Sequence, residues 1–237
     1  MTQATASRGT APLRLGAIVF DLDGTLVDSA PDLHRALNLV LEAEGAAPVS
    51  LAETRGFIGH GIPNLVNAAR ASRGIAPARQ AAMTEAMFAH YLMSPAGLSR
   101  LYEEVPETLR LLRDRGHPLG LCTNKALVPT QAILAALGLA EVFDVVVAGD
   151  SLAQKKPDPA PLLAAFAPLG RPLLYVGDSE VDAETAARAG IAFALHTKGY
   201  RKTPVNDLAH AFAFDSYEAL RDHILGMQDA AGRRAGR

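Results

Sequence analysis

Residues 15–25 read LGAIVFDLDGT, an apolar run that stops abruptly at two aspartates. The run is apolar on both parities, which is typical of a β-strand that is buried on both faces. Asp21 and Asp23 are spaced i, i+2, and both can face one polar site if the chain turns at Gly24. The stretch therefore predicts a strand with two carboxylates at its carboxyl end. A solvated acidic turn is the alternative for the two aspartates alone.

The same kind of apolar run recurs along the rest of the chain. Further strands are predicted at residues 118–123, 142–148, 172–176, 191–195 and 211–214. Helical patterns lie between them, at residues 106–115, 126–138, 159–168 and 180–189. Alternating strands and helices predict an α/β fold, a Rossmann-like parallel sheet with helices on both faces.

The alternation is interrupted once, directly after the first strand. About 100 residues separate the first two strands, and roughly 70 of them carry only helical patterns, at 30–44, 61–72 and 77–92. The simplest account is an all-helical cap over residues 28–97. The α/β core is then discontinuous, formed by 13–27 and 98–226, and flexible tails are expected at 1–12 and 227–237. Because ligands of open α/β sheets bind at the carboxyl ends of the strands, the insert is expected to lie over the site like a lid.

The composition excludes several classes of function. Of 237 residues 49% are apolar, and 23 basic against 25 acidic side chains leave a net charge of −2. Such a chain has no basic field that would bind nucleic acid or an anionic membrane. Cys122 is the only cysteine, which excludes a disulfide framework, and no apolar run approaches the length of about 18 residues that a membrane span needs. We expect a cytoplasmic protein, a monomer or homodimer, without nucleic-acid or membrane partners.

Three more polar segments follow predicted strands or lead into helices: TNK at 123–125, KKPDP at 155–159 and VGDSEVD at 176–182. Hydroxyl and amide groups at a strand end can bond an anionic oxygen, and lysine pairs with phosphate as a point charge. Carboxylates suit magnesium. Taken singly, each segment has a simpler alternative, a helix cap for the first and third and a solvated loop for the second.

Taken in order, the four segments resemble the motifs of the haloacid dehalogenase-like superfamily, on its phosphatase branch with a helical cap after the first motif. The resemblance covers about residues 13–226. The longer strings DLDGTLVDSAPDL, TRGFIGHGIPNLV, LGLCTNKA and KKPDPAPLL are similar to those of the phosphoglycolate phosphatase family within it. The resemblance implies a Mg²⁺-dependent phosphomonoesterase that acts on a small-molecule phosphate ester, 2-phosphoglycolate, through an aspartyl-phosphate.

The resemblance also implies the roles of single residues. Asp21 would be the nucleophile and Asp23 the general acid and base. The metal ligands would be Asp21, the backbone carbonyl of Asp23, and Asp178, with Asp182 behind them. Thr123, Asn124 and Lys156 would hold the phosphoryl group. Lys156 is preferred to Lys155 because it directly precedes Pro157, as in the family motif.

The cap is expected to select the substrate. Arg55 and His60, in the predicted turn between two cap helices, are candidates to meet a small carboxylate; exposed residues without a substrate role are the alternative. The presence of Asp23 argues against carbon–halogen chemistry, because dehalogenases that resemble this family lack it. A phosphosugar phosphatase, a β-phosphoglucomutase-like mutase and a non-catalytic metal-binding regulatory protein on the same fold stay open as alternatives.

Overall fold

The structure, a computed structural model, describes residues 15–235, so the predicted tail at 1–12 lies outside the described residues. The strands are β1 (Ala17–Phe20), β2 (Val27–Asp28), β3 (Arg100–Leu101), β4 (Leu119–Cys122), β5 (Val145–Val147), β6 (Pro172–Gly177), β7 (Phe193–His196) and β8 (Phe212–Phe214). The α-helices are α1 (Ala30–Ala43), α2 (Leu51–Phe57), α3 (Ile62–Ser72), α4 (Gln80–Leu92), α5 (Val105–Asp114), α6 (Leu127–Ala136), α7 (Ala160–Phe166), α8 (Glu180–Ala189) and α9 (Tyr217–Ala235).

Six strands form one parallel sheet in the order β5-β4-β1-β6-β7-β8. The chain builds outward from β1 through β4 to β5, then returns to place β6 on the other side of β1. Phe20, the last residue of β1, pairs with Leu121 of β4 and Val176 of β6. The residues that follow these three strands therefore meet at one edge of the sheet, where the strand order reverses and ligands bind in such folds.

The two faces of the sheet are covered by different helices. Ile18 and Phe20 point into a core with α5, α6 and α9, whereas Ala17 and Val19 point into a second core with α7 and α8. All four side chains are fully buried. A slip of one residue would exchange the two faces, so this burial fixes the register of β1. The predicted Rossmann-like sheet with helices on both faces is confirmed.

Helices α1 to α4 form a separate apolar cluster between β2 and β3. Leu37, Val66 and Met87, from three of these helices, are fully buried in it. The chain leaves the sheet along β2 and returns along β3, and these two strands pair antiparallel. Helix α2 was not predicted, although Ser50 and Glu53 form a capping box at its start, a signal that the sequence carries.

The carboxyl-terminal part of the chain differs from the prediction. Residues 227–235, expected to be a flexible tail, continue helix α9 to Ala235. Tyr217, Leu220 and Ile224 anchor this helix, because each is almost completely buried against the sheet. The alanine and arginine residues that follow favour continuation of the helix. None of the helices in residues 15–235 combines the length and the apolar character that crossing a membrane requires.

Candidate active site

A cavity of about 450 Å³ lies between the carboxyl edge of the sheet and helices α2 and α3. Its floor contains residues from the ends of β1, β4 and β6, among them Asp21, Thr123 and Asp178. Residues 56–62, from the end of α2 to the start of α3, lie on its other wall. The parallel sheet thus brings together, in one cavity, motif residues that are more than 150 positions apart in the chain.

Asp21 and Lys156 form a buried ion pair at the centre of the cavity floor. Lys156 Nζ lies 2.8 Å from Asp21 Oδ1 and 2.7 Å from Asp182 Oδ1. Burial raises the pKa of Asp21 to about 7; Lys156 opposes that rise and Asp182 adds to it. Burial alone would lower the pKa of Lys156, but the two carboxylates raise it above the usual range, so the lysine stays charged. Lys155, the alternative in the motif, is exposed.

The carboxylate of Asp178 is held by groups that follow two other strands, β7 and β1. It accepts hydrogen bonds from the Tyr200 N–H at 2.6 Å and from Thr25 Oγ1 at 2.9 Å. A Cβ at Gly199 would lie only 2.2 Å from Asp178 Oδ2, so a larger residue there would displace this carboxylate. Burial raises the pKa of Asp178 well above its ordinary value, and the charges of Asp182 and Asp21 raise it further.

Asp23 is paired with a second buried lysine. Lys125 Nζ lies 3.0 Å from both carboxylate oxygens of Asp23, and Ser29 Oγ donates to Oδ1. Lys125 also lies over the ring of Tyr91 from α4, 4.6 Å from its centroid. Burial would lower the pKa of Lys125, but Asp23 raises it above the usual range. The two aspartates of the first motif therefore each have their own lysine.

A family model described as haloacid dehalogenase-like hydrolase matches residues 15–190, which include all of these groups except Tyr200 and Gly199. The chain belongs to this family. The resemblance that the four motifs indicated is confirmed, and the protein is a hydrolase.

Individual relatives give the same result. A phosphoglycolate phosphatase of Cereibacter sphaeroides is 51% identical over 208 residues, which cover 86% of this chain and 95% of that protein. One from Rhodospirillum rubrum is 40% identical over 229 residues, covering 93% and 95%. The crystal structure of a predicted phosphoglycolate phosphatase from Haemophilus somnus has a TM-score of 0.81 and 31% identity, with coverage of 87% and 96%.

The acidic residues of this haloacid dehalogenase-like hydrolase fit a divalent metal ion. Asp21, Asp178 and Asp182 each offer an oxygen, and these atoms lie within 4.8 Å of one another. The ammonium of Lys156 contacts two of these carboxylates, those of Asp21 and Asp182, and a cation would relieve the repulsion among the three. Asp182 already accepts from Lys156, Tyr175 and Ser179. That leaves Asp21 and Asp178 as the side chains best placed to hold the ion.

Thr123 and Asn124 lie beside the ion pair, but the amide of Asn124 is already engaged. It donates to the carbonyls of Gly59 and Lys156, at 2.9 and 3.0 Å, and accepts from the Lys156 N–H at 3.0 Å. Both amide hydrogens are therefore used within the protein. The Asn124 side chain connects the cap loop to the Lys156 segment. In this arrangement its amide has no hydrogen free to donate to a phosphoryl oxygen, the contact that the sequence predicted.

The two cap residues predicted to meet the substrate lie in different places. His60 is part of the loop between α2 and α3 and lines the cavity. Arg55 is not in that turn, as the prediction had it, but inside α2. Its guanidinium lies 3.4 Å from Asp28 in β2, and it is not among the residues lining the cavity. The prediction placed Arg55 in a turn because α2 was not recognised as a helix.

Two functional groups were missed because only the folded chain brings them to the site. Lys125 was seen in the TNK segment but given no role, since its partner Asp23 is 102 positions away. The loop after β7, residues 198–203, carried no motif. It reaches the site through the Tyr200 N–H, and Tyr200, Lys202 and Thr203 line the cavity.

Proposed function

We propose that this hydrolase is a Mg²⁺-dependent phosphatase that converts 2-phosphoglycolate and water to glycolate and phosphate. The observation that carries the proposal is the paired arrangement of Asp21 with Lys156 and Asp23 with Lys125 beside Asp178, at the floor of one cavity. The substrate is taken from the relatives that bear the name phosphoglycolate phosphatase at up to 51% identity.

The reaction proceeds in two displacements. A carboxylate oxygen of Asp21 attacks phosphorus, the bond to the ester oxygen breaks, and Asp23 donates a proton to the departing glycolate alkoxide. Asp23, now ionised, takes a proton from water. That water attacks the phosphorus of the aspartyl-phosphate, which releases phosphate and restores Asp21. Lys156 and Thr123 stabilise charge on the phosphoryl oxygens, because phosphoryl transfer depends mainly on positioning and charge neutralisation.

Magnesium would be held by Asp21, by the backbone carbonyl of Asp23 and by Asp178. When bound, it would offset the negative charges of carboxylate and phosphate that must approach each other. An all-oxygen ligand set suits magnesium, which keeps waters and substrate phosphate in its coordination sphere. The crowding of buried carboxylates around one lysine supports this assignment.

Lys125 is a positioning residue in this scheme. Its ammonium contacts both oxygens of Asp23 and is itself almost completely buried, so it fixes the orientation of the acid and base at the end of β1. The ring of Tyr91, in helix α4, covers the ammonium of Lys125, so a helix between β2 and β3 contacts this pair. Residues 28–97 act as the cap domain that closes over the site and excludes water.

A panel of phosphate esters tests the proposal. The wild-type protein is assayed for phosphate release from 2-phosphoglycolate, glucose 6-phosphate and β-glucose 1-phosphate, with magnesium and with excess chelator. We expect the highest kcat/KM on 2-phosphoglycolate and no phosphate release from any ester in excess chelator. Better turnover of the sugar phosphates would favour a phosphosugar phosphatase. Isomerisation of β-glucose 1-phosphate would favour a mutase, and the absence of phosphate release would favour a regulatory protein. The cytoplasmic location and the monomer or homodimer stay predictions.

A further inference from the structure

Four side chains that can carry positive charge line the cavity: His60, Lys125, Lys156 and Lys202. Two of them are neutralised within the protein, because Lys125 pairs with Asp23 and Lys156 pairs with Asp21 and Asp182. Lys202 is different. Among the side chains of residues 15–227, no carboxylate lies within 4 Å of its ammonium, and its hydrogen bond to Glu180 is made by its backbone. It is the lysine of the cavity whose charge is free for a ligand.

The loop that carries Lys202 is anchored firmly to the active site. The N–H groups of Lys202 and Thr203 both donate to Glu180 Oε1 at the start of α8, the first at 2.6 Å. Two residues earlier, the Tyr200 N–H donates to Asp178, and its hydroxyl donates to Asp28 at 2.6 Å. The backbone of Lys202 is therefore fixed relative to the catalytic floor, while its exposed side chain stays available at the cavity mouth.

The side chain of Lys202 also runs along the cap. A Cβ built on Gly56, near the end of α2, would lie 3.8 Å from Lys202 Cε, so the lysine passes beside this helix where it borders the cavity. The cap wall itself is largely apolar, with Phe57, Ile58 and Ile62 among its residues. Arg55 points away to Asp28. Apart from His60, the described part of the cap places no side chain that can carry positive charge in the cavity lining, and the loop after β7 adds Lys202.

A 2-phosphoglycolate molecule has only one CH₂ group between its ester oxygen and its carboxylate. When its phosphate lies at Asp21 and Lys156, the carboxylate must therefore remain inside the same cavity. A carboxylate in a partly desolvated site needs a cationic or hydrogen-bonding partner. We propose that Lys202 binds the substrate carboxylate and so gives the enzyme its preference for short phosphate esters that carry one. This inference rests on the proposed function and assigns the specificity group to the core loop.

The test compares Lys202→Met with Lys198→Met, a control at an exposed lysine of the same loop that does not line the cavity. Each variant and the wild type are assayed on 2-phosphoglycolate, on its neutral amide (2-phosphoglycolamide) and on ethyl phosphate. We expect Lys202→Met to lower kcat/KM for 2-phosphoglycolate by about 10- to 100-fold, the usual effect of a charge-assisted hydrogen bond. Its kcat/KM for the two esters that lack a carboxylate should stay within about 3-fold of the wild-type value. Lys198→Met should match the wild type on all three substrates.

The outcomes separate the inference from the function on which it rests. A wild type that shows no preference for 2-phosphoglycolate over ethyl phosphate contradicts the proposed function. A wild type that prefers 2-phosphoglycolate, with a Lys202→Met variant that keeps the same preference, overturns the role of Lys202 alone. Equal losses of kcat/KM on the esters with and without a carboxylate also overturn it, because they indicate a disturbed loop. Lys202→Arg, which keeps the charge, should recover part of the preference.

Discussion

Replacing Asp21 by asparagine is expected to abolish activity in the presence of magnesium and, at the same time, to make the metal-free protein more stable. Asp21 is 7% exposed, and burial raises its pKa from 3.8 to about 7. Above pH 7 the folded protein must hold this carboxylate ionised in an unfavourable place, which costs about 4 kcal/mol relative to the unfolded chain. Asparagine has nearly the same shape without the charge. Lys156 would still have Asp182 at 2.7 Å and the Tyr175 hydroxyl at 2.9 Å.

The sign of the pH dependence follows from the direction of the shift. Since the pKa is higher in the folded state, the folded protein binds more protons between pH 3.8 and 7, and stability from this group falls as pH rises through that window. The stabilisation by Asp21→Asn should therefore be greatest at pH 8, about 4 kcal/mol as an upper limit, and shrink to about 2 kcal/mol at pH 5. For a chain of this length the upper value corresponds to roughly 8–16 °C in Tm.

Thermal and urea unfolding in excess chelator, at pH 5, 6, 7 and 8, measure this difference. Asp207→Asn, at an exposed aspartate, is the matched control and should change little at any of these pH values. Added magnesium should stabilise the wild type more than Asp21→Asn, because the ion binds the ionised carboxylate. A variant that is no more stable than the wild type at pH 8, or a gain that does not vary with pH, would refute the reasoning. Activity of Asp21→Asn that is retained in the presence of magnesium would refute the assignment of Asp21 as the nucleophile.

Three further variants probe the other groups of the site. Asp23→Asn should lower kcat for 2-phosphoglycolate by about 10²- to 10⁴-fold and that for p-nitrophenyl phosphate by less, since p-nitrophenolate leaves without a proton; equal losses would count against general acid catalysis. Lys125→Met removes one partner of a buried pair, so the free energy of unfolding should fall by about 3–5 kcal/mol. Its activity should fall more on 2-phosphoglycolate than on p-nitrophenyl phosphate, and Lys125→Arg should restore part of that difference. Asp178→Ala should raise the magnesium concentration for half-maximal activity by at least about 10-fold, and full activity of the wild type in excess chelator would contradict the metal site.

The local pattern of the sequence determined the strands of the sheet and the position of the helical insert. Apolar runs at the right spacing predicted all six strands of the parallel sheet, because a strand buried on both faces needs apolar residues at every position. Polar residues directly after those runs, such as Asp21, Thr123 and Asp178, then had to meet at one sheet edge. The long helical stretch after β1 in the same way predicted an insert over the site. These features depend on residues close together in the chain.

Only the tertiary structure decided which charged groups face each other. Asp23 and Lys125 pair across 102 positions, and Asn124 ties the cap loop to the Lys156 segment. Arg55, a plausible ligand in the sequence, is held by Asp28 outside the cavity, whereas Lys202, which has no motif around it, reaches the cavity mouth. Periodicity in a sequence reports whether a residue is buried. It does not report which side chains become neighbours, because that depends on the order of strands in the sheet and on how the cap packs against the core.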